Sequence, residues 1–177
     1  MLNQLSPHLK QYFHQLETQG RSLPGQARLE KRFAYPLLNG LIGFGLPFTR
    51  RNGFTIEALR HGYLRARMPI KGNKNHMGTV YAGAQFLLAE VPFGALSIVE
   101  FEGRYIPILR ELSIRFLQPA RSDLILELEL DQQQIAEVVK EAEEKGKANL
   151  PLSLALQDSQ GAIVATAEAD YQIRAKL

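Results

Sequence analysis

Cysteine is absent from all 177 residues. That excludes disulfides, thiolate metal sites and a cysteine nucleophile. It is compatible with a reducing compartment, and a cytoplasmic location is the expectation. Histidine is scarce: His8, His14, His61 and His76 form no HExxH pattern and no close pair, so neither a metal site nor a bound cofactor is expected. The chain also lacks a strong excess of one charge. Lys and Arg total 21 against 18 Asp and Glu, a net +3, and the basic residues are scattered among acids instead of forming the stripes that nucleic-acid binding uses. No uninterrupted apolar run has membrane-spanning length. The most apolar stretch, Val80 to Phe101, contains Glu90 and Pro92 and is broken by glycines. It reads as a buried helix, and no membrane partner is expected. The opening residues Met1-Leu-Asn-Gln-Leu-Ser6 have no charged segment ahead of an apolar core, so they do not read as a signal peptide.

What is present suits one domain spanning 1–177, with an apolar share of 45% and a charged share of 22%. Residues 1–50 form a helical lead-in. Leu5, Leu9, Phe13 and Leu16 predict an amphipathic helix over 5–18, and Leu29, Phe33, Leu37 and Leu38 a second over 26–40, ended by Gly40, Gly43, Gly45 and Pro47. Strand signals start at Phe54. Runs at 54–59 and 63–69 flank Arg60-His-Gly62, a hairpin turn, and Leu64, Ala66 and Met68 alternate with Arg65 and Arg67. A polar loop, 71–78, leads through Thr79 as expected N-cap into the apolar helix 80–99. Strands follow at 106–118 and 123–131, then a helix over 134–145 closed by Gly146, then strands at 148–157 and 162–174. One apolar helix against a long, mostly antiparallel sheet is an α+β architecture.

Three stretches carry a family resemblance. Asn75-His-Met-Gly-Thr-Val-Tyr-Ala-Gly-Ala84, with Glu90 seven residues beyond Gly83, resembles a loop and helix start of the form N-x-x-G-T-x-H-G-G-A followed by an acid. Leu112-Ser-Ile-Arg-Phe-Leu-Gln-Pro-Ala120 is similar to a strand I-x-F-x-x-P-A. Asp158-Ser-Gln-Gly161 with Val164-Ala-Thr-Ala167 is similar to a closing hairpin D-x-x-G-x-x-V-A-x-A. In order and spacing these resemble the hot-dog thioesterase superfamily, closest to its phenylacetate-type branch and the related DUF4442 family. The resemblance implies a hot-dog core over 53–174, a sheet wrapped around one central helix, subunits paired as a homodimer or homotetramer, and an acyl-CoA or other acyl thioester as substrate. It departs at Tyr81, where the family has His, at Ala82 for the first Gly, and at Glu90, where the phenylacetate-type branch often has Asp.

The residues themselves suit that chemistry. A helix start offers free N–H groups, so Gly83 is the candidate oxyanion donor. Glu90, two turns on along one face, is the candidate general base or nucleophile, because a carboxylate in an apolar helix is costly unless paired or used. In family-like dimers the acid of one subunit faces the helix start of the other. Pro92 removes a helical hydrogen bond beside it. Ser97 and Asn75 are candidates to orient water, Tyr81 to donate where the family has His, and His76 is a further candidate. Lys71, Lys74, Arg104 and Arg121 are candidates to hold the coenzyme A phosphates at the pocket mouth. Two other readings stay open: an acyl-thioester binder without catalysis, and a hydroxyacyl dehydratase using His76 and Glu90, which stand fourteen residues apart.

Overall fold

Alternating and helical periodicities partition the chain much as expected, and the computed structural model describes residues 34–175. The helix expected over 5–18, and the part of the 26–40 helix before residue 34, lie outside the described residues. Helix α1 (Tyr35–Gly45) opens on Pro36 in its first turn and is followed at once by α2 (Pro47–Arg51). The glycine-rich stretch therefore does not end the helix at Gly40. The helix runs to Gly45, and buried Gly43 lies under the Arg50 side chain, where an added Cβ would stand 3.1 Å from Arg50 Cβ.

Strands β1 (Thr55–Arg60) and β2 (Tyr63–Met68) form the expected hairpin. Helix α3 (Ala82–Glu100) follows, then β3 (Tyr105–Phe116), β4 (Leu124–Glu129), α4 (Gln132–Lys145), β5 (Lys147–Gln157) and β6 (Ile163–Ala175). All pairings are antiparallel, in the order β1-β2-β4-β5-β6-β3, so β1 and β3 are the edges. Helix α4 is capped at its start by Asp131, which accepts the Gln133 N–H at 2.8 Å. It ends on Gly146 at φ 75°, a left-handed conformation that glycine adopts without a Cβ penalty.

Helix α3 is long and apolar enough to cross a bilayer by length and composition, yet 67% of its most apolar window is buried inside the protein. The sheet face that receives it is apolar at every second residue: Leu64, Ala66 and Met68 on β2, Leu124, Leu126 and Leu128 on β4, Leu150, Leu152, Leu154 and Leu156 on β5. On β6 that face is Ala165, Ala167, Ala169 and Tyr171, three small side chains and then one large one with a polar tip. A fully buried leucine such as Leu88 or Leu126 contributes ~1.5–3 kcal/mol of transfer free energy.

Candidate active site

The start of α3 is built by its preceding loop. Asn75 organises it: its Oδ1 accepts from the Met77 and Thr79 N–H groups at 2.9 and 3.1 Å, and its Nδ2 donates to Thr79 Oγ1 at 2.9 Å. Thr79 is consequently not the N-cap. Its hydroxyl and amide are engaged by Asn75, and the N-cap is Tyr81, at φ −62° and ψ 141°. The Tyr81 N–H donates to the Asn73 carbonyl at 2.7 Å, and the Val80 N–H to the Ala120 carbonyl at 2.8 Å, pinning the helix start to two neighbouring loops. The N–H groups of Ala84 and Gln85 turn back to the Tyr81 carbonyl. Those of Ala82 and Gly83 have no acceptor among the described residues. Free amides at the positive end of a 19-residue helix suit a developing oxyanion. The exposed Tyr81 ring lies over Gly83: a Cβ there would stand 2.7 Å from Tyr81 Cε1. Glycine at 83 thus both bares the amide and makes room for the ring.

Glu90 lies eight residues beyond Ala82, roughly 12 Å along the axis. It is half-buried among apolar neighbours, and its carboxylate has no hydrogen bond or ion pair among the described residues. Burial pushes its pKa above the ordinary carboxylate value, with no compensating charge to pull it back. The backbone at this point is held from the sheet: the Tyr171 hydroxyl donates to the Glu90 carbonyl at 2.7 Å, and its ring packs on Phe93 with centroids 4.4 Å apart. Burial, and then the nearby Glu90 carboxylate, push the Tyr171 phenol far up, so it stays a neutral donor. Helix α3 continues through Pro92 as one element. Proline offers no N–H to the Leu88 carbonyl.

The chain matches a family model described as a domain of unknown function, DUF4442, over residues 36–173. The chain belongs to the DUF4442 family. A solved structure of a protein of unknown function from Pseudomonas aeruginosa, described as a probable thioesterase, is 44% identical, with a TM-score of 0.75 over 80% of this chain and 95% of that one. A protein of unknown function from Chlorobaculum tepidum is 18% identical, with a TM-score of 0.71 over 82% of this chain and 97% of its own. A thioesterase from Haemophilus influenzae is 14% identical, with a TM-score of 0.62 over 81% and 92%; at that identity the likeness concerns the fold alone. No curated protein matches the chain. The wrap of one sheet around α3 is the hot-dog fold.

The remaining candidate residues of this DUF4442 protein divide by position. His76 is exposed in the loop. Ser97 is buried on α3, its hydroxyl donating to the Gly94 carbonyl at 2.8 Å, and Asn75 is engaged within its turn. Exposed Lys71 and Lys74 precede α3, and exposed Arg121 follows the Ala120 that binds Val80, so these three share the helix-start end. Arg104 does not join them. It follows α3, roughly 28 Å along the helix from its start, where it ion-pairs with Glu143 at 3.9 Å and stacks over Tyr105. The four basic residues therefore do not flank one mouth within a single chain. A groove lined by Ser113, Arg115, Thr166 and Glu168 lies on the outer sheet face, opposite α3. Among the described residues no three His, Cys, Asp or Glu side chains are grouped as for a metal.

Sequence reasoning missed Tyr171. Its signal was present: a tyrosine two residues after Ala169, in the inward register of β6, is the one position of that alanine run able to reach α3 with a hydroxyl. Glu100 was missed too. Its carboxylate accepts the Gly62 N–H at 2.9 Å and lies 3.4 Å from His61 Nδ1, tying the end of α3 to the β1–β2 turn. Nothing in the local sequence pairs those two distant positions.

Proposed function

We propose that this DUF4442 protein hydrolyses acyl thioesters, with Glu90 as general base and the Gly83 N–H as oxyanion donor. The observation that carries the reading is the Glu90 carboxylate itself. It is half-buried on an apolar helix, has no partner among the described residues and carries a raised pKa. Such a group is a net cost to folding unless it is used. Gly83 and Glu90 are about 10 Å apart along one helix axis, too far to serve one carbonyl. The reading therefore places the site between two copies, with Glu90 of one facing the helix start of the other. Glu90 would take a proton from water as its oxygen bonds to the thioester carbon. The oxyanion would rest on the helix-start amides, and collapse would break the C–S bond, releasing the carboxylic acid and the thiol, which takes up the proton. Lys71, Lys74 and Arg121 would hold the phosphates of a coenzyme A carrier. The relative at 44% identity described as a probable thioesterase supports this reading.

A second reading, a binder of acyl thioesters without turnover, is favoured by three facts. Asn75 spends its side chain within its own turn, on the Met77 and Thr79 N–H groups and the Thr79 hydroxyl, Ser97 spends its hydroxyl on the Gly94 carbonyl, and Tyr81 stands where the resemblance places histidine. The deciding experiment measures hydrolysis of short, long and aromatic acyl-CoAs by the wild type and by Glu90→Gln. Turnover of some member that falls about 100-fold or more in a folded Glu90→Gln supports the hydrolase. Saturable acyl-CoA binding with no turnover gives the binder, and equal turnover by both proteins removes Glu90 from the mechanism.

A further inference from the structure

The first two described helices, α1 and α2, carry an apolar face that the described chain leaves open. Helix α1 is fastened on its other side. The Asn39 amide donates to the Ile56 carbonyl at 2.9 Å and accepts the Ile56 N–H at 2.7 Å, and the Tyr35 hydroxyl accepts the Leu59 N–H at 3.3 Å. These bonds occupy backbone groups of the edge strand β1, and Leu38 and Ile42 pack on the core. The outward stripe does not share in that attachment. Leu37, Leu41 and Phe44 follow one another at i, i+4 and i+7, and Leu46 and Phe48 extend the stripe into α2, with exposures from 43% to 77%. A single exposed leucine needs no explanation, but five large apolar side chains within residues 37–48 form a patch of the kind that marks an interaction site.

Charge identifies the partner. No acidic residue occurs between Glu30 and Glu57, while Lys31, Arg32, Arg50 and Arg51 fall in that run. Arg50 and Arg51 are exposed and close α2 beside Phe48. We infer that the α1–α2 face docks on an anionic phospholipid surface, with Phe44, Leu46 and Phe48 entering the headgroup–acyl boundary and Arg50 and Arg51 on the phosphates. A second copy of the chain fits less well. A two-fold pairing would set the basic run against itself, and five side chains fall short of the ~20–30 residues a side of a stable protein interface. A surface patch attaches to a membrane without a spanning segment, a mode that the lack of an uninterrupted apolar run leaves open. This inference stands apart from the proposed hydrolysis.

The test is sedimentation of the full-length chain with vesicles of phosphatidylglycerol and phosphatidylcholine in equal parts, against phosphatidylcholine alone. Binding to the anionic vesicles that weakens with added salt is expected. The double variant Phe44→Ser with Phe48→Ser should bind about tenfold more weakly or worse. Arg50→Gln with Arg51→Gln, which leaves the apolar stripe intact, should lose about fivefold per charge on anionic vesicles alone. Melting curves should stay near wild type, since all four side chains are exposed. A wild type that stays in the supernatant with both vesicles overturns the inference. So does vesicle binding that neither variant changes, or a Phe44→Ser/Phe48→Ser protein whose only change is a smaller mass in ultracentrifugation, which would make the stripe a subunit contact.

Discussion

Replacing Glu90 by glutamine should make the protein more stable as well as inactive. The two effects together separate a working carboxylate from a structural one. Among the described residues the carboxylate has no donor or cation to offset its desolvation, and burial raises its pKa. A glutamine amide would be buried there just as unpaired, so the substitution relieves only the extra cost of the ionised form over a neutral polar group. Glu90 is only partly buried, so water screens part of that, and a gain of ~0.5–1.5 kcal/mol remains. For a chain of this size that is a rise of ~1–6 °C in Tm. The sign with pH follows from the direction of the shift. A carboxylate whose folded pKa is raised contributes stability that is present below its unfolded value, near ~4.3, and lost as pH rises through the folded value. The glutamine variant lacks that loss, so its advantage should be small in acid and grow toward neutral pH. Thermal denaturation across that range, beside thioester hydrolysis at each pH, is the assay. A Glu90→Gln protein less stable than wild type by ~1 kcal/mol or more at neutral pH would refute the reasoning, because it would mean that the carboxylate holds the fold through bonds the glutamine cannot make.

Tyr171→Phe removes the hydroxyl on the Glu90 carbonyl and keeps the ring on Phe93; a loss of ~0.5–1.5 kcal/mol is expected. If the hydroxyl also positions Glu90, the pH–rate profile should shift, whereas a purely structural bond would lower Tm and leave the profile unmoved. Asp123 is held below the usual carboxylate range, first by the Ile70 N–H at 2.9 Å and then by Arg67. Its contribution is therefore present above ~3.9 and lost as pH falls through its lower folded value. With both partners about a third exposed, Asp123→Asn should cost ~1 kcal/mol at pH 7, shrinking in acid melts; a gap that persists at the lowest pH would exclude the ion pair as its source. Gly146→Ala meets open space but must keep φ 75°, so denaturant titration should show a loss of ~1 kcal/mol; an unchanged midpoint would mean that the helix end relaxes freely.

Much of the element order was legible because each element has its own periodicity. Leu64, Ala66 and Met68 alternate in β2, Leu124 to Leu128 in β4, and the buried side of α3 needs no partner identity to read as core. Turn and cap chemistry fared unevenly. Gly146 marks its helix end because only a left-handed residue satisfies it, whereas Thr79 has the side chain of an N-cap and is diverted by Asn75, four residues away. The α1 glycines read as a stop because local propensity disfavours them in a helix. Contact with Arg50 and the Asn39 clamp on β1, both tertiary, override that propensity.

The same division applies to the site. Sequence alone placed Gly83 and Glu90 on one face of an apolar helix, since a separation of seven residues in a helix is two turns whatever surrounds it. It also determined that no cysteine thiol of the protein takes part and that the helix belongs in a core. Tertiary structure decided what those residues face. It brought Tyr171 from the far end of the chain onto the Glu90 backbone, left the Glu90 carboxylate without a partner among the described residues, and drew Arg104 away to Glu143 at the wrong end of α3. Those outcomes depend on strand register and on which loop meets which helix end, and such long-range pairings leave no periodic trace in the order of the residues.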